Sequence, residues 1–209
     1  MENEKPILAE ITEYVKTQIL SGELHSDQKI SERSLCEQFS VSRTIVREAL
    51  LALRADGWLY SKSKSGTYVA PVDRNEVLEN YKARIPLEPL VLQMAYPNIT
   101  PDDIREMEES IVKIKADPGL YYIYEIRLHM IYVRRTGNRY IEHFFESMSN
   151  TMERLAVLSS RRSGRMAQSL DEWNHIILCI KENDPQSAAA WLSRHLLNSL
   201  ENFIRNNPE

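Results

Sequence analysis

Three times after Pro71 the chain carries the same helix-opening signal. Thr100-Pro101-Asp102-Asp103 sets a cap residue before a proline and two acids, and Asp117-Pro118 and Asp184-Pro185 repeat the cap-plus-proline pair. Proline is tolerated at a first helical position because the N–H it lacks would have no intrahelical partner there. Acids in the first turn oppose the positive end of the helix dipole. Glycine is nearly absent from this stretch, and Gly137-Asn138 and Ser163-Gly164 mark two further breaks. The spacing predicts about six helices between residues 73 and 206 and therefore an all-α bundle. Pro86 and Pro89 fall inside the first of them, which predicts a kink or a late start.

The N-terminal third has a different texture. Ile7, Leu8, Ile11, Val15, Ile19 and Leu20 recur at helical spacing until Gly22. Ser31 heads a short helix over 31–39. Ser42 heads the next, with Val41 and Val46 at the positions of a hydrophobic staple, and that helix runs to about Asp56 before Gly57. WLYSK and GTYVA then read as two short strands turning around Lys62–Ser65, with Gly66 supplying turn freedom. Two domains are expected: residues 1–72, a winged helix-turn-helix with a small β-hairpin wing, and residues 73–209, an all-helical bundle.

Bulk properties narrow the function. The chain has two cysteines, Cys36 and Cys179, far apart, which argues against a disulfide framework and suits a reducing cytosol. No run of about 18 apolar residues is present, and the start MENEKPILAE lacks a signal peptide's basic and apolar regions. A cytoplasmic protein without a membrane partner is expected. The net charge is −4, and residues 1–72 hold nine Lys+Arg against ten Asp+Glu. DNA affinity must therefore come from a local basic patch, doubled by a homodimer.

That patch is expected on the helix SRTIVREALLALRADG. Ile45, Val46, Ala49, Leu50 and Leu53 can face the core, leaving Arg43, Thr44 and Arg47 near the N-terminus, where a recognition helix meets the major groove. Arginine can grip guanine O6 and N7 through two parallel bonds. Lys62 and Lys64 beside Gly66 read as a backbone clamp. A plain solvated helix face, with the arginines paired to Glu48 or Glu37, is the competing reading. The segment ISERSLCEQFSVSRTIVREALLALRADGWLYSKSKSGTYV resembles the DNA-binding domain of the GntR family of bacterial regulators over residues 6–70. The resemblance implies Arg33, Arg43 and Arg47 on phosphates and bases, Thr44 nearby, and Gly66 at a wing tip in the minor groove. The chain departs from the family at Ile45, where proline is usual, and at His25-Ser26-Asp27, where Pro-Gly is usual.

Four of five histidines lie in the C-terminal part: His129, His143, His175 and His195. Glu125 and His129 are four apart and share a helix face. With His175 and His195 from the last two helices they would suit Zn²⁺, Ni²⁺ or Mn²⁺, if three helices bring them together. RIPLEPL, YEIRLHMIYVRRTGNRYI, LDEWNHIILCIKENDPQSA and SRHLLNSL resemble the FCD-type ligand-binding domain of the FadR subfamily. That resemblance implies one divalent metal on Glu125, His129, His175 and His195, with Glu125 one methylene longer than the usual Asp. It also implies a carboxylate-bearing effector held by Arg84. Arg84 can equally pair with Glu88, four residues on.

Together these features lead to the expectation of a ligand-responsive, homodimeric DNA-binding regulator, a repressor of a pseudo-palindromic operator, and not an enzyme. A metal-dependent enzyme using three histidines and Glu125 stands as one alternative. A regulator whose ligand domain is empty or purely structural is another.

Overall fold

Ser31 accepts a hydrogen bond from the Ser34 amide at 3.1 Å and so opens a helix, Glu32–Phe39 (α2). It closes at Ser40, whose φ of 53° is left-handed and returns an amide to the Cys36 carbonyl. Ahead of it lies α1, Glu4–Ser21, and after it α3, Arg43–Ala55. Ser42 occupies the N-cap position of α3, but its side chain makes no capping bond. In this computed structural model residues 4–63, 65–160 and 164–206 are described.

Two strands follow, Leu59–Lys62 (β1) and Gly66–Val69 (β2), paired antiparallel from Leu59–Val69 to Lys62–Gly66. A bridge from Lys29 to Tyr68 ties the segment before α2 to this hairpin. Ile11 and Val15 of α1, Val46 and Leu53 of α3, and Trp58 before β1 are fully buried and form the core of the first unit. The unit spans Met1–Val72, and the second spans Asp73–Glu209.

The second unit holds six α-helices among the described residues: α4 (Arg74–Ala95), α5 (Pro101–Ala116), α6 (Tyr121–Arg135), α7 (Arg139–Ser160), α8 (Arg165–Lys181) and α9 (Pro185–Asn206). Thr100 and Asp103 form a reciprocal capping box at α5. Asp117-Pro118 opens a 3-10 turn, Pro118–Leu120, that leads into α6. Asp184 accepts from the Ser187 amide at the head of α9.

The expected late start of α4 does not occur. Asp73 caps the helix through the Asn75 amide, and the helix is continuous from Arg74 to Ala95 with both prolines inside. Each interior proline costs about 3 kcal/mol in an isolated helix. Here Val77, Tyr81, Val91, Leu92 and Ala95 are buried, and α4 packs along α9. At about 1.5–3 kcal/mol for each large apolar side chain, that burial offsets the loss. The other extensive contacts include those between α8 and α9, α6 and α7, α5 and α6, and α4 and α6, around a core centred on Leu128, Tyr132, Phe145, Trp173 and Leu192. Among the described residues no helix is long and apolar enough to cross a membrane.

Candidate functional site

In the first unit α3 divides into two faces. Val46, Ala49, Leu50 and Leu53 are buried, while Arg43, Thr44 and Arg47 at its beginning are exposed. Ile45, read as a core residue, is half-buried. Arg47 donates through Nε to Glu32 at 3.0 Å, and Arg33 donates to Glu37 at 2.7 Å. Exposed pairs of this kind contribute at most about 1 kcal/mol, so a phosphate or base can replace the carboxylate. Arg47, Arg54, Lys62, Gly66 and Thr67 line one groove between α3 and the hairpin. Arg54 was not singled out from the sequence; its signal is the position seven residues, two turns, after Arg47.

The Lys62 ammonium lies 3.6 Å from Asp27 and 4.8 Å from the Tyr68 ring centroid. Gly66 has a φ of +122°, and a Cβ there would sit 2.9 Å from Cε of Lys29. The site thus needs glycine for backbone freedom first and for space second. Lys64 lies outside the described residues.

In the second unit α6 carries Glu125 and His129 on one buried face and α9 brings His195 to them. One donor atom from each of these three residues lies within 4.8 Å of the others. Nε2 of His195 is 3.0 Å and Nε2 of His129 is 3.9 Å from Oε1 of Glu125. The opposite edge of each ring is fixed by a buried carboxylate. His129 donates from Nδ1 to Glu88 at 2.6 Å, and His195 donates from Nδ1 to Glu172 at 2.9 Å. A carboxylate on Nδ1–H of each ring leaves Nε2 as the edge turned toward Glu125, the one a metal would take in place of a proton. Tyr132 adds its hydroxyl to Glu88, and Ser169 adds its own to Glu125.

His175 is not brought to this group. It is on α8, stacked on Trp191 with ring centroids 4.1 Å apart, and its Nδ1 meets the Asp171 carbonyl at 2.8 Å. Two residues earlier stands Trp173, fully buried, with its ring centroid 5.0 Å from that of His129 and 5.4 Å from that of His195. Its indole N–H donates to Oε2 of Glu125 at 3.2 Å. Two residues on a helix rotate a side chain by about 200°. The α8 face that meets the cluster therefore presents an indole and turns His175 toward solvent.

Arg84, expected to hold an effector carboxylate, pairs with Glu88 inside the core, and its Nη2 lies 3.4 Å from Nε2 of His129. Residues unremarked in the sequence complete the cluster, Trp173, Glu172 on α8 beside it, and Arg165 at the start of α8, together with Glu88, read from the sequence only as a partner for Arg84. A buried carboxylate beside a ligand histidine carries no sequence signal of its own.

The electrostatics follow from burial and pairing. Burial alone would raise the pKa of Glu88, but the Arg84 charge and the contacts from His129 and Tyr132 outweigh it and keep the carboxyl ionised. At Glu125 burial again raises the pKa, and the His195 charge with the polar contacts of His129 and His195 hold it well below the usual carboxylate range. Tyr81, Arg84, Tyr121, Glu125, His129 and Ser199 are among the residues around a cavity of ≈ 20 Å³ at this point. The donor set fits a borderline dication. It offers two imidazole nitrogens and one carboxylate oxygen all within 4.8 Å of one another, the two nitrogens 3.0 and 3.9 Å from the oxygen, against the ~3–3.5 Å expected of donors that are 2.0–2.2 Å from one ion. Three protein ligands leave a position open, since an indole N–H cannot ligate.

The comparisons agree with both halves. The model described as bacterial regulatory proteins, gntR family, matches residues 8–69, and that of the FCD domain matches residues 79–198. An uncharacterised HTH-type transcriptional regulator, YdhC of Bacillus subtilis, is 22% identical over 97% of this chain and 93% of its own. The gluconate operon transcriptional repressor of Bacillus licheniformis is 26% identical over 78% of this chain and 68% of its own. Among solved structures, Escherichia coli McbR/YncC aligns with a TM-score of 0.78 at 19% identity, covering 96% of this chain and 99% of that one. An exposed basic helix and hairpin at residues 8–69, followed by a helical FCD domain, make this chain a member of the GntR family of bacterial transcription regulators.

Proposed function

We propose that this regulator is a cytoplasmic, homodimeric repressor whose helical domain binds a small carboxylate-bearing metabolite beside a divalent metal. Glu125, His129 and His195 would hold the metal, which when bound supplies Lewis acidity toward a carboxylate oxygen. The observation that carries this reading is the pair of buried histidines, each with a carboxylate on Nδ1 and with Nε2 turned toward Glu125.

Charge balance supports the class of effector. Three buried carboxylates, Glu88, Glu125 and Glu172, face two buried guanidiniums, Arg84 and Arg165. With both imidazoles neutral the cluster has one negative charge in excess, which a proton on His195, favoured by Glu125 and Glu172, balances. With a dication in place of that proton the cluster has one positive charge in excess, and a single carboxylate restores neutrality at a place where an unbalanced charge is costly. Relatives named as repressors support the sign of regulation, and one of them is named for the gluconate operon, gluconate being a hydroxycarboxylate.

Arg33, Arg43, Thr44, Arg47, Lys62, Lys64 and Gly66 are the proposed DNA contacts. A homodimer would place two such faces on an operator with two half-sites. The effector can shift DNA affinity only by its preference for one conformer of the regulator over another.

The test is fluorescence anisotropy on a duplex selected from a random library by the full-length protein. The expected result is salt-dependent, sequence-selective binding that weakens when Zn²⁺ or Ni²⁺ and a hydroxycarboxylate such as gluconate or lactate are added together. Selective binding that is indifferent to metal and to carboxylates would leave a DNA-binding protein with a structural helical domain.

A further inference from the structure

The two histidines of the cluster differ at the ring edge that meets the metal position. Nε2 of His195 faces Oε1 of Glu125 at 3.0 Å, and the guanidinium of Arg165 lies at the other edge of that ring, 3.3 Å from Nδ1. Nε2 of His129 is 3.9 Å from the same Glu125 oxygen, and here a guanidinium does meet it: Nη2 of Arg84 lies 3.4 Å away. Arginine has donors and no acceptor, so in this contact Nη2 donates and Nε2 of His129 accepts. An imidazole nitrogen has one lone pair in the ring plane. A metal at about 2.0–2.1 Å and the N–H of Arg84 cannot both take it.

The surroundings hold Arg84 in this place. Glu88 is fully buried and grips both partners of the contact. One of its oxygens accepts from Nε of Arg84, and the other accepts from Nδ1 of His129 at 2.6 Å. The three hydrogen bonds close a ring through Glu88, Arg84 and His129. The guanidinium is a rigid plane, so holding Nε also directs Nη2. Arg84 lines the cavity of ≈ 20 Å³ together with Glu125, His129 and His195. That is room for about one water, so an ion and a water at its open position do not fit together beside Arg84 as it stands. Its charge also opposes a dication at this distance.

We propose that Arg84 is a resident cation that competes with the metal for His129. Its Nη2 N–H occupies the lone pair that an ion requires, so metal binding and the Arg84–His129 hydrogen bond exclude each other, and Arg84 thereby lowers the metal affinity of the site. When the ring opens at that bond, the bond from Nδ1 of His129 to Glu88 is retained, and it is the bond that orients a ligating histidine. The proposal rests on the reading of Glu125, His129 and His195 as a metal site.

The test is the Zn²⁺ affinity of tag-free, full-length wild type and Arg84→Met, read by competition with a chromophoric chelator. Methionine fills much of the same space and removes both the charge and the donors. Zn²⁺ is expected to bind Arg84→Met about tenfold or more tightly than the wild type, as the loss of a charge-assisted hydrogen bond from the metal-free site implies. A residue that merely supports the fold would give the opposite sign when removed. Binding by Arg84→Met alone also supports the competition. Equal or weaker binding by Arg84→Met overturns it and leaves the metal reading standing. No binding by either protein overturns both.

Should the methionine variant fail to fold, the crystal structure of the Zn²⁺-loaded wild type decides. The expected result is Zn²⁺ on Nε2 of His129 with Nη2 of Arg84 moved out of hydrogen-bond distance from that atom. Zn²⁺ held by Glu125 and His195 with the Arg84–His129 hydrogen bond intact overturns the proposal.

Discussion

The indole N–H of Trp173 lies 3.2 Å from Oε2 of Glu125, the carboxylate whose other oxygen is 3.0 Å from Nε2 of His195. One oxygen is thus held by a neutral donor that cannot ligate, and the other is directed into the donor group. The arrangement fixes Glu125 without adding a fourth ligand. Trp173→His would convert this neighbour into an imidazole. The expected outcome is tighter Zn²⁺ binding by about tenfold or more, equivalent to ~1.4 kcal/mol for the added ligand, read by competition with a chromophoric chelator. An unchanged or weaker affinity would show that α8 does not present position 173 to the metal.

Glu88 is fully buried between Arg84, His129 and Tyr132. Removing a carboxylate from such a set leaves the guanidinium charged and unpaired in the core. Glu88→Ala is expected to destabilise the protein by about 3–5 kcal/mol in urea unfolding, and the isosteric Glu88→Gln by less, because it keeps an acceptor. A loss within the ~0–1 kcal/mol of an exposed ion pair would contradict the placement of this group in the core.

Local signals made much of the fold legible. The Ser31 cap, the Gly57 stop, the hairpin around Lys62–Ser65 and the capping box at Thr100 all rest on residues within four positions of one another. Their physics is complete in the sequence. The buried cluster is different in kind. Glu125 and His129 share a helix, so their common face was legible. His175 was read as a ligand from its helix and from the family resemblance, whereas Trp173 holds the position that faces the cluster. A shift of two residues is invisible until α8 is docked. The RxxLE spacing left Arg84 two partners, and the structure pairs it with Glu88. Glu172 and Arg165 read as ordinary helix-surface charges, and only tertiary packing buries them. The late start that Pro86 and Pro89 suggested is absent, because α4, packed against α9, runs through both prolines.

Asp103 closes the capping box on Thr100 and also receives Arg135 at 2.8 Å. Burial raises its pKa, but the hydrogen bonds from Arg135 and Thr100 outweigh this and lower it below the ordinary value. A carboxyl whose folded pKa is depressed stabilises the fold above its unfolded pKa of about 3.9 and loses that contribution as pH falls through the folded value. Asp103→Asn is therefore expected to lower stability by about 1 kcal/mol at pH 7. The gap to the wild type should narrow as the pH drops below about 4. A gap that does not change between pH 7 and pH 3 in chemical unfolding would argue against the ionised cap.

Arg47 is exposed on α3 and, among the described residues, pairs with Glu32. On a selected duplex Arg47→Ala is expected to cost about 1–3 kcal/mol and to relax the preference at one base position if it reads a base edge. A uniform loss across sequences, with a shallower salt dependence, would instead place it on a phosphate. Unchanged affinity would remove Arg47 from the interface.

The most direct test of the helical unit is the metal content of tag-free protein incubated with Zn²⁺ and desalted, measured by plasma mass spectrometry for the wild type, His195→Ala and His175→Ala. About one metal per chain is expected in the wild type and in His175→Ala, with loss in His195→Ala, because Nε2 of His195 faces Glu125 while His175 stacks on Trp191 at the surface. No metal in the wild type, or its loss in His175→Ala and not in His195→Ala, would contradict the site built on Glu125, His129 and His195.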